Sequence, residues 1–109
     1  MNTFKLTFGS FNIMKPSESF EIHREAIREL ITHYPVVNPR IFGSVLHGTD
    51  QVGSDVDLLV DDLPGTSLFD LGGLQYQLQE LLGFPVDLLT PGDLPEKFRE
   101  RVIAEASPV

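Results

Sequence analysis

Two aspartates, Asp55 and Asp57, stand one residue apart where the sequence SDVDLLV enters an apolar run. In an extended strand, residues i and i+2 point to the same face, about 6–7 Å apart along the backbone. Two carboxylates at that spacing repel each other, so the pKa of at least one rises unless a cation neutralises the pair. Magnesium typically binds one or two carboxylates together with phosphate oxygens of a substrate. The pair therefore predicts a divalent-cation site, and a solvated strand end is the simpler alternative.

A third carboxylate, Asp87, lies inside a later apolar segment, FPVDLLT. If this segment forms a strand beside the first one, the three acids converge and can hold two metal ions about 3.5–4 Å apart, the spacing used for in-line displacement at phosphorus. An aspartate at such a position, taken alone, is more often a surface acid on an edge strand. In combination, Asp55, Asp57 and Asp87 predict metal-assisted transfer at phosphorus.

A Gly-Ser turn, Gly43 and Ser44, precedes the first acidic strand. Glycine lets a backbone approach a phosphate closely, and successive N–H groups at the start of a helix bind anions. Gly48 then permits a sharp exit into the loop that leads to Asp55. The pattern predicts that a phosphate-binding turn faces the metal-binding strand, whereas a single Gly-Ser pair is by itself most often only a turn.

Hydrophobic periodicity and turn signals predict the elements that position these residues. The first predicted helix has an apolar stripe along one side, and Ser17 or Ser19 can cap its first turn. The predicted elements up to the acidic strand are a helix at Ser19–His33, a strand at Val36–Phe42 interrupted at Asn38–Pro39, one or two helical turns at Gly43–Gly48, and a loop at Thr49–Gly53.

The second half of the chain continues the alternation of strands and helices. Ser67 and Asp70 have the spacing of a capping box, and Gly83 is a suitable helix end. The predicted elements are a strand at Val56–Asp61, a helix from Ser67 to Gly83, a strand at Phe84–Thr90, and a last helix capped by Asp93 with Phe98, Val102, Ile103 and Ala106 on its inner face. This order predicts the α/β (α+β) class, a small mixed β-sheet with helices packed on it.

Length and composition limit the class of protein. With 109 residues, the sequence predicts one domain, residues 17–109, preceded by an N-terminal extension, residues 1–16. Met14 is an alternative start of the chain, which would make the first thirteen residues an extension. The net charge of −8 and the lack of any basic run argue against direct nucleic-acid binding. Without cysteine, thiolate metal sites are excluded. No membrane span or signal peptide is visible, so a cytoplasmic location is expected.

The order Gly-Ser, Gly, Ser-Asp-x-Asp and a later strand aspartate resembles the minimal nucleotidyltransferases (MNT) of the DNA-polymerase-β-like nucleotidyltransferase superfamily. The resemblance implies that ATP is the substrate and that two Mg²⁺ ions are bound by Asp55, Asp57 and Asp87. It also implies that Gly43, Ser44 and Ser54 bind the nucleotide, and that Asp87 helps to deprotonate the acceptor hydroxyl.

Proteins that resemble this one act as antitoxins of helical HEPN toxins, in a type VII-like toxin–antitoxin pair. The resemblance implies transfer of AMP to a hydroxyl of such a partner, with a tyrosine as the expected acceptor, within a hetero-oligomer. One departure is that Val45, Leu46 and His47 stand where many relatives carry basic residues after Gly-Ser. Two other functions stay open: a binding module that neutralises the partner by occlusion, and a nucleotide sensor.

Overall fold

The computed structural model describes residues 14–109, which form a four-stranded mixed sheet with helices packed on it. The helices are α1 (Pro16–Ile22), α2 (Arg24–Ile31), α3 (Gly43–His47), α4 (Leu68–Leu82) and α5 (Glu96–Glu105), and the strands are β1 (Val36–Phe42), β2 (Val56–Asp62), β3 (Val86–Leu89) and β4 (Ser107–Pro108). A 3-10 turn, Pro91–Asp93, lies between β3 and α5. The predicted fold class is confirmed. Most of the predicted N-terminal extension lies outside the described residues, and its boundary stays a prediction.

The sheet has the strand order β3-β2-β1-β4. Strand β1 runs antiparallel to both of its neighbours, whereas β2 and β3 are parallel and are connected by the crossover helix α4. The end of β1 and the starts of β2 and β3 therefore meet at one end of the sheet. This end, called the site end below, carries the predicted chemistry.

Alternation along β2 separates two faces of the sheet. Val56, Leu58 and Val60 are fully buried and belong to the main core. The same core includes residues of the helices α1, α2, α3 and α4. Leu59 points to the opposite face, yet it is also buried, and the 3-10 turn contacts β2 there. Asp57 and Asp61 share that second face with Leu59, because their positions have the same parity.

The predicted continuous helix over Ser19–His33 is wrong, because the chain forms two helices that are separated at His23. The backbone of His23 has φ −103° and ψ 11°, outside the helical range. Its Nδ1 lies 2.8 Å from the carbonyl oxygen of Ser19, so the ring interacts with a backbone group that a regular helix uses internally. The expected caps are also wrong, since Lys15 precedes the first helical residue, Pro16.

The C-terminal segment differs from the prediction in two further ways. Asp93 accepts the backbone N–H of Thr90 at 3.0 Å and caps the 3-10 turn instead of α5. The predicted inner face of α5 is not buried: Phe98 is 41% exposed and Ile103 is 37% exposed, while Val102 and Ala106 are only partly covered. Leu94, just before the helix, fills the buried position instead.

Several local predictions are confirmed. Strand β1 shifts register between Val37 and Arg40, as expected for an interruption at Asn38–Pro39. In α4, Ser67 and Asp70 form the predicted capping box, and Gly83 follows the last residue. None of the helices in residues 14–109 has the length and apolar content that a membrane crossing requires.

Candidate active site

Strand pairing brings two of the three predicted acids together at the site end of the sheet. Asp57 in β2 is the direct register partner of Asp87 in the parallel strand β3. Register partners in neighbouring strands point to the same face, so both carboxylates project from the second face of the sheet. Asp55 lies two residues before Asp57, just outside β2. The strand register thus places Asp57 beside Asp87, and Asp55 lies close enough for its charge to act on Asp57; binding of a shared metal ion by the three acids stays a prediction.

The backbone of Gly43 lies against the carboxylate of Asp57. Phe42, the last residue of β1, pairs with Asp57 across the antiparallel ladder, and Gly43 then starts α3 with φ 74°. A Cβ atom built on Gly43 would lie 2.2 Å from Oδ2 of Asp57. Only glycine fits this position, because any side chain would displace the carboxylate and the positive φ is also unfavourable for other residues.

The electrostatic environment of Asp57 is unfavourable for a charged carboxylate. Desolvation by burial, followed by repulsion from Asp87 and from Asp55, raises the pKa of Asp57 to about 6. Within residues 14–109, no lysine, arginine or histidine forms an ion pair with any of the three acids. A divalent cation would remove this cost, since it neutralises carboxylates that repel one another.

The donor set fits magnesium, which prefers oxygen ligands and accepts one or two carboxylates with substrate phosphate. Asp55 and Asp87 are exposed and Asp57 is half-buried, so a nucleotide can reach them from solvent. In the part of the chain that the structure describes, no three acidic or histidine side chains form a ready-made cage for one ion. A site of this kind relies on substrate oxygens to complete the metal shell.

The residues predicted to bind the nucleotide have different surroundings. Ser44 lies in the first turn of α3, partly exposed, and no hydrogen bond within residues 14–109 occupies its hydroxyl. Ser54 is engaged locally, because its Oγ accepts the backbone N–H of Gln51 at 2.8 Å. His47, at the end of α3, lies with its Nε2 3.3 Å from Oε1 of Glu105. The imidazole therefore pairs with α5 and not with the three acids.

Two glutamines of α4 position β3, a role that was not predicted from the sequence. Gln79 Oε1 accepts the backbone N–H of Val86 at 3.1 Å, and Gln75 Oε1 accepts that of Leu88 at 3.3 Å. These N–H groups flank Asp87, on the side of β3 that has no neighbouring strand among the described residues. The i, i+4 spacing of the glutamines places both on one helix face, which is the only signal that could have indicated this role.

The fold and the site define a class of protein, the nucleotidyltransferases. The chain belongs to the nucleotidyltransferase domain family, whose model matches residues 22–109. It is 40% identical over 86 residues to "Putative protein adenylyltransferase MJ0435" of Methanocaldococcus jannaschii, covering 79% of this chain and 91% of that protein. A second protein of the same organism, "Putative protein adenylyltransferase MJ0126", is 35% identical over 89 residues, covering 82% of this chain and 91% of that protein.

Solved structures narrow this class to the minimal nucleotidyltransferases. A structure described as a "putative minimal nucleotidyltransferase" superposes with a TM-score of 0.77 at 38% identity, covering 85% of this chain and 95% of the other. The toxin–antitoxin MntA–HepT has a chain with the same fold, with a TM-score of 0.61 at 17% identity, covering 81% of this chain and 69% of that chain. The present chain is a minimal nucleotidyltransferase.

Proposed function

We propose that this chain transfers AMP from ATP, with Mg²⁺, to a tyrosine hydroxyl of a helical HEPN-family toxin, and so acts as its antitoxin. The observation that carries the proposal is the set of three carboxylates, Asp55, Asp57 and Asp87, at one end of the sheet without a cationic partner among the described residues. Such a set suits metal-dependent nucleotide transfer. A purely structural role would favour neutral residues, because an unpaired charge is costly to bury.

The roles of the residues follow from their positions. Asp55 and Asp57 would hold Mg²⁺, and Asp87 would complete the set beside the acceptor. The ions, when bound, supply charge neutralisation and orientation of the triphosphate. Gly43 leaves the start of α3 open, so backbone N–H groups and the Ser44 hydroxyl are available to triphosphate oxygens.

The transfer step needs one proton acceptor from the protein. The tyrosine hydroxyl would lose its proton to the carboxylate of Asp87, which is exposed and therefore accessible to a protein substrate. The phenolate oxygen then attacks the α-phosphorus of ATP, a new P–O bond forms, and the bond to the β-phosphate oxygen breaks in line. The products are the AMP-modified protein and pyrophosphate.

Four features support a protein acceptor in a toxin–antitoxin pair. The M. jannaschii relatives carry the name of protein adenylyltransferases, and structures with the same fold include a toxin–antitoxin with AMP-PNP and the MntA–HepT pair. The net charge of −8 suits a basic protein partner better than a nucleic acid. The exposed site, open to solvent at Asp55 and Asp87, also suits a macromolecular acceptor.

The test is label transfer from α-labelled ATP to the protein encoded by the adjacent reading frame, with Mg²⁺ or with EDTA. We expect one or more AMP units on a tyrosine of that protein, located by mass spectrometry. Asp57→Asn should lower the transfer rate by at least about 10²–10³-fold, the cost typical of losing one group that stabilises transition-state charge. Undiminished transfer by Asp57→Asn, or with EDTA, would refute the proposed metal site.

A second function, neutralisation by occlusion alone, is favoured by large apolar side chains on the surface. Leu68 is 85% exposed and Phe69 is 92% exposed at the start of α4, and Phe98 is exposed on α5. Exposed apolar groups of this size often belong to protein interfaces. Growth rescue separates the two functions: if Asp57→Asn still protects cells from the partner as well as the wild type does, occlusion is sufficient and transfer is dispensable.

A further inference from the structure

All of the short helix α1 except its last residue, Ile22, lies outside residues 22–109, the segment that the family model matches. It nevertheless makes two polar contacts with segments that lead to the candidate active site. Each contact involves a polar side chain that is almost fully buried: Asp50 is 4% exposed and Ser19 is 1% exposed. Buried polar groups are costly unless they are hydrogen-bonded, so contacts of this kind fix the geometry of the elements that they join.

The first contact joins α1 to the loop before the acidic strand. Oδ2 of Asp50 accepts the backbone N–H of Ser17 at 2.8 Å, which is the first N–H available in the helix because Pro16 has none. Burial alone would raise the pKa of Asp50, but hydrogen bonds from Ser17 and the nearby charge of Lys15 lower it overall. The carboxylate is therefore ionised at neutral pH, five residues before Asp55.

The second contact joins α1 to the segment before β3. The Ser19 hydroxyl donates a hydrogen bond to the carbonyl oxygen of Leu82 at 2.6 Å. Leu82 is the last residue of α4, and only three residues separate it from β3, which carries Asp87. One helix thus touches both segments that deliver the three acids to the site end of the sheet.

We infer that α1 is a bracket for the active site, with Asp50 and Ser19 as positioning residues that fix the loops before β2 and β3. Neither side chain is proposed to touch the nucleotide or a metal ion. The inference rests on the proposed function only for the roles of Asp55, Asp57 and Asp87. Groups that orient metal ligands from outside the coordination shell typically change metal affinity or activity by about 10–100-fold when they are mutated.

The chain offers a matched control for a purely structural effect. At the opposite end of the sheet, Oδ2 of Asp70 accepts the backbone N–H of Ser67 at 2.9 Å and caps α4. Asp70→Ala therefore removes a carboxylate that accepts a backbone N–H at a helix start, as Asp50→Ala does, but it lies outside the loops of the site. Asp70→Ala costs about 1 kcal/mol as the loss of a helix cap, and Asp50→Ala costs about 1–3 kcal/mol because its partner N–H is partly buried, so both variants are compared under conditions in which they are fully folded.

The first experiment titrates Mn²⁺ into the full chain and follows binding by water-proton relaxation. We expect Asp50→Ala to weaken Mn²⁺ binding by about 10-fold and Asp70→Ala to leave it unchanged. Asp50→Asn, which keeps an acceptor oxygen for the Ser17 N–H, should regain most of the affinity. If all folded variants bind Mn²⁺ as the wild type does, the bracket role is overturned.

Hydrogen exchange gives a readout that needs neither metal nor activity. We expect exchange at residues 49–55 to be about 10-fold faster in Asp50→Ala and much closer to the wild type in Asp50→Asn, and exchange at residues 83–87 to be faster in Ser19→Ala, with neither change in Asp70→Ala. A wild type that binds no Mn²⁺ would count against the proposed function, while altered exchange would still support the bracket. Unchanged exchange in both loops would overturn the bracket even if transfer activity is found.

Discussion

Two aspartates of the same strand, Asp57 and Asp61, have opposite electrostatic environments. They lie four residues apart on the same face of β2. At the far end of the sheet, Asp61 pairs with Arg40 at 2.5 Å and accepts a hydrogen bond from the Asn38 side chain at 3.0 Å. The Asn38 hydrogen bond and the Arg40 guanidinium together lower the pKa of Asp61. At the site end, burial and neighbouring acids raise that of Asp57 to about 6.

The difference shows which physical features separate a candidate metal-binding carboxylate from one that the fold neutralises. The fold itself neutralises Asp61 through Arg40, which is only 8% exposed. It supplies no such partner to Asp57 within residues 14–109, and Gly43 lies against the carboxylate instead. A charge that the protein leaves uncompensated in a partly buried place is a candidate for binding an external cation.

The largest expected effect tests the contact between Gly43 and Asp57. Gly43→Ala places a Cβ where only 2.2 Å separates it from Oδ2 of Asp57, so the carboxylate must move. We expect the rate of AMP transfer to fall by at least about 100-fold, since misplacement of about 1 Å at a reacting site costs that much. The measurement is label transfer from α-labelled ATP under conditions in which the variant is folded.

Gly48→Ala is the matched control for backbone strain. Gly48 has φ 72°, close to the 74° of Gly43, but a Cβ there would meet no atom within 4 Å. Both variants should lose about 1–2 kcal/mol of stability from the left-handed backbone, while Gly48→Ala keeps transfer within a few-fold of the wild type. Equal losses of activity in the two variants would show that strain, and not the position of Asp57, matters.

The second prediction concerns the neutralised end of the sheet. Arg40→Met removes the cation from Asp61 and keeps an apolar stem in the buried position. We expect the free energy of unfolding to fall by about 2–3 kcal/mol, below the full cost of breaking a buried ion pair because the Asp61 side chain is 40% exposed. Urea unfolding at pH 7 measures the change. A variant as stable as the wild type would mean that Asp61 needs no partner, and the contrast with Asp57 would fail.

The three acids are predictable from the sequence, whereas the polar groups that hold the neighbouring segments in place are not. Asp55, Asp57 and Asp87 were predictable because strand alternation and a single crossover determine their common face. Asp50 was not, because a lone aspartate in a loop has no periodicity and its partner, Ser17, is 33 positions away. Arg40 was missed for the same reason, since its partner Asp61 is 21 positions away.

The misassigned elements also have local physical reasons. The apolar stripe before His33 continues through the break between α1 and α2, so periodicity gives no sign that His23 ends the first helix. Strand β4 has two residues, one of them proline, and forms only because β1 offers it a partner edge. The stripe on α5 predicted burial, but the described residues provide no layer that covers Phe98 or Ile103.

The smallest expected effect is the pH dependence of stability in metal-free protein. The pKa of Asp57 is about 6 in the folded state, above the value of about 4 of an unfolded aspartate. The folded state therefore holds this proton more tightly, and the resulting stabilisation is present below pH 4 and is lost as the pH rises through 6. We expect the wild type to lose about 1–2 kcal/mol between pH 4.5 and 7.5 relative to Asp57→Asn, after allowance for solvent screening at a half-exposed group.

Asp61→Asn should show the opposite sign, because the pKa of Asp61 is lowered in the folded state. Its stabilisation is present above the unfolded value and is lost as the pH falls through the folded one. Relative to the wild type, Asp61→Asn is therefore destabilised at pH 7.5 and less so at low pH. Thermal unfolding in EDTA at both pH values measures the two variants together.

Addition of Mg²⁺ at pH 7.5 distinguishes the same two variants. It should stabilise the wild type and Asp61→Asn but not Asp57→Asn, since only Asp57→Asn lacks the carboxylate that needs neutralisation. Equal stabilisation of all three proteins by Mg²⁺ would mean that the cation binds elsewhere.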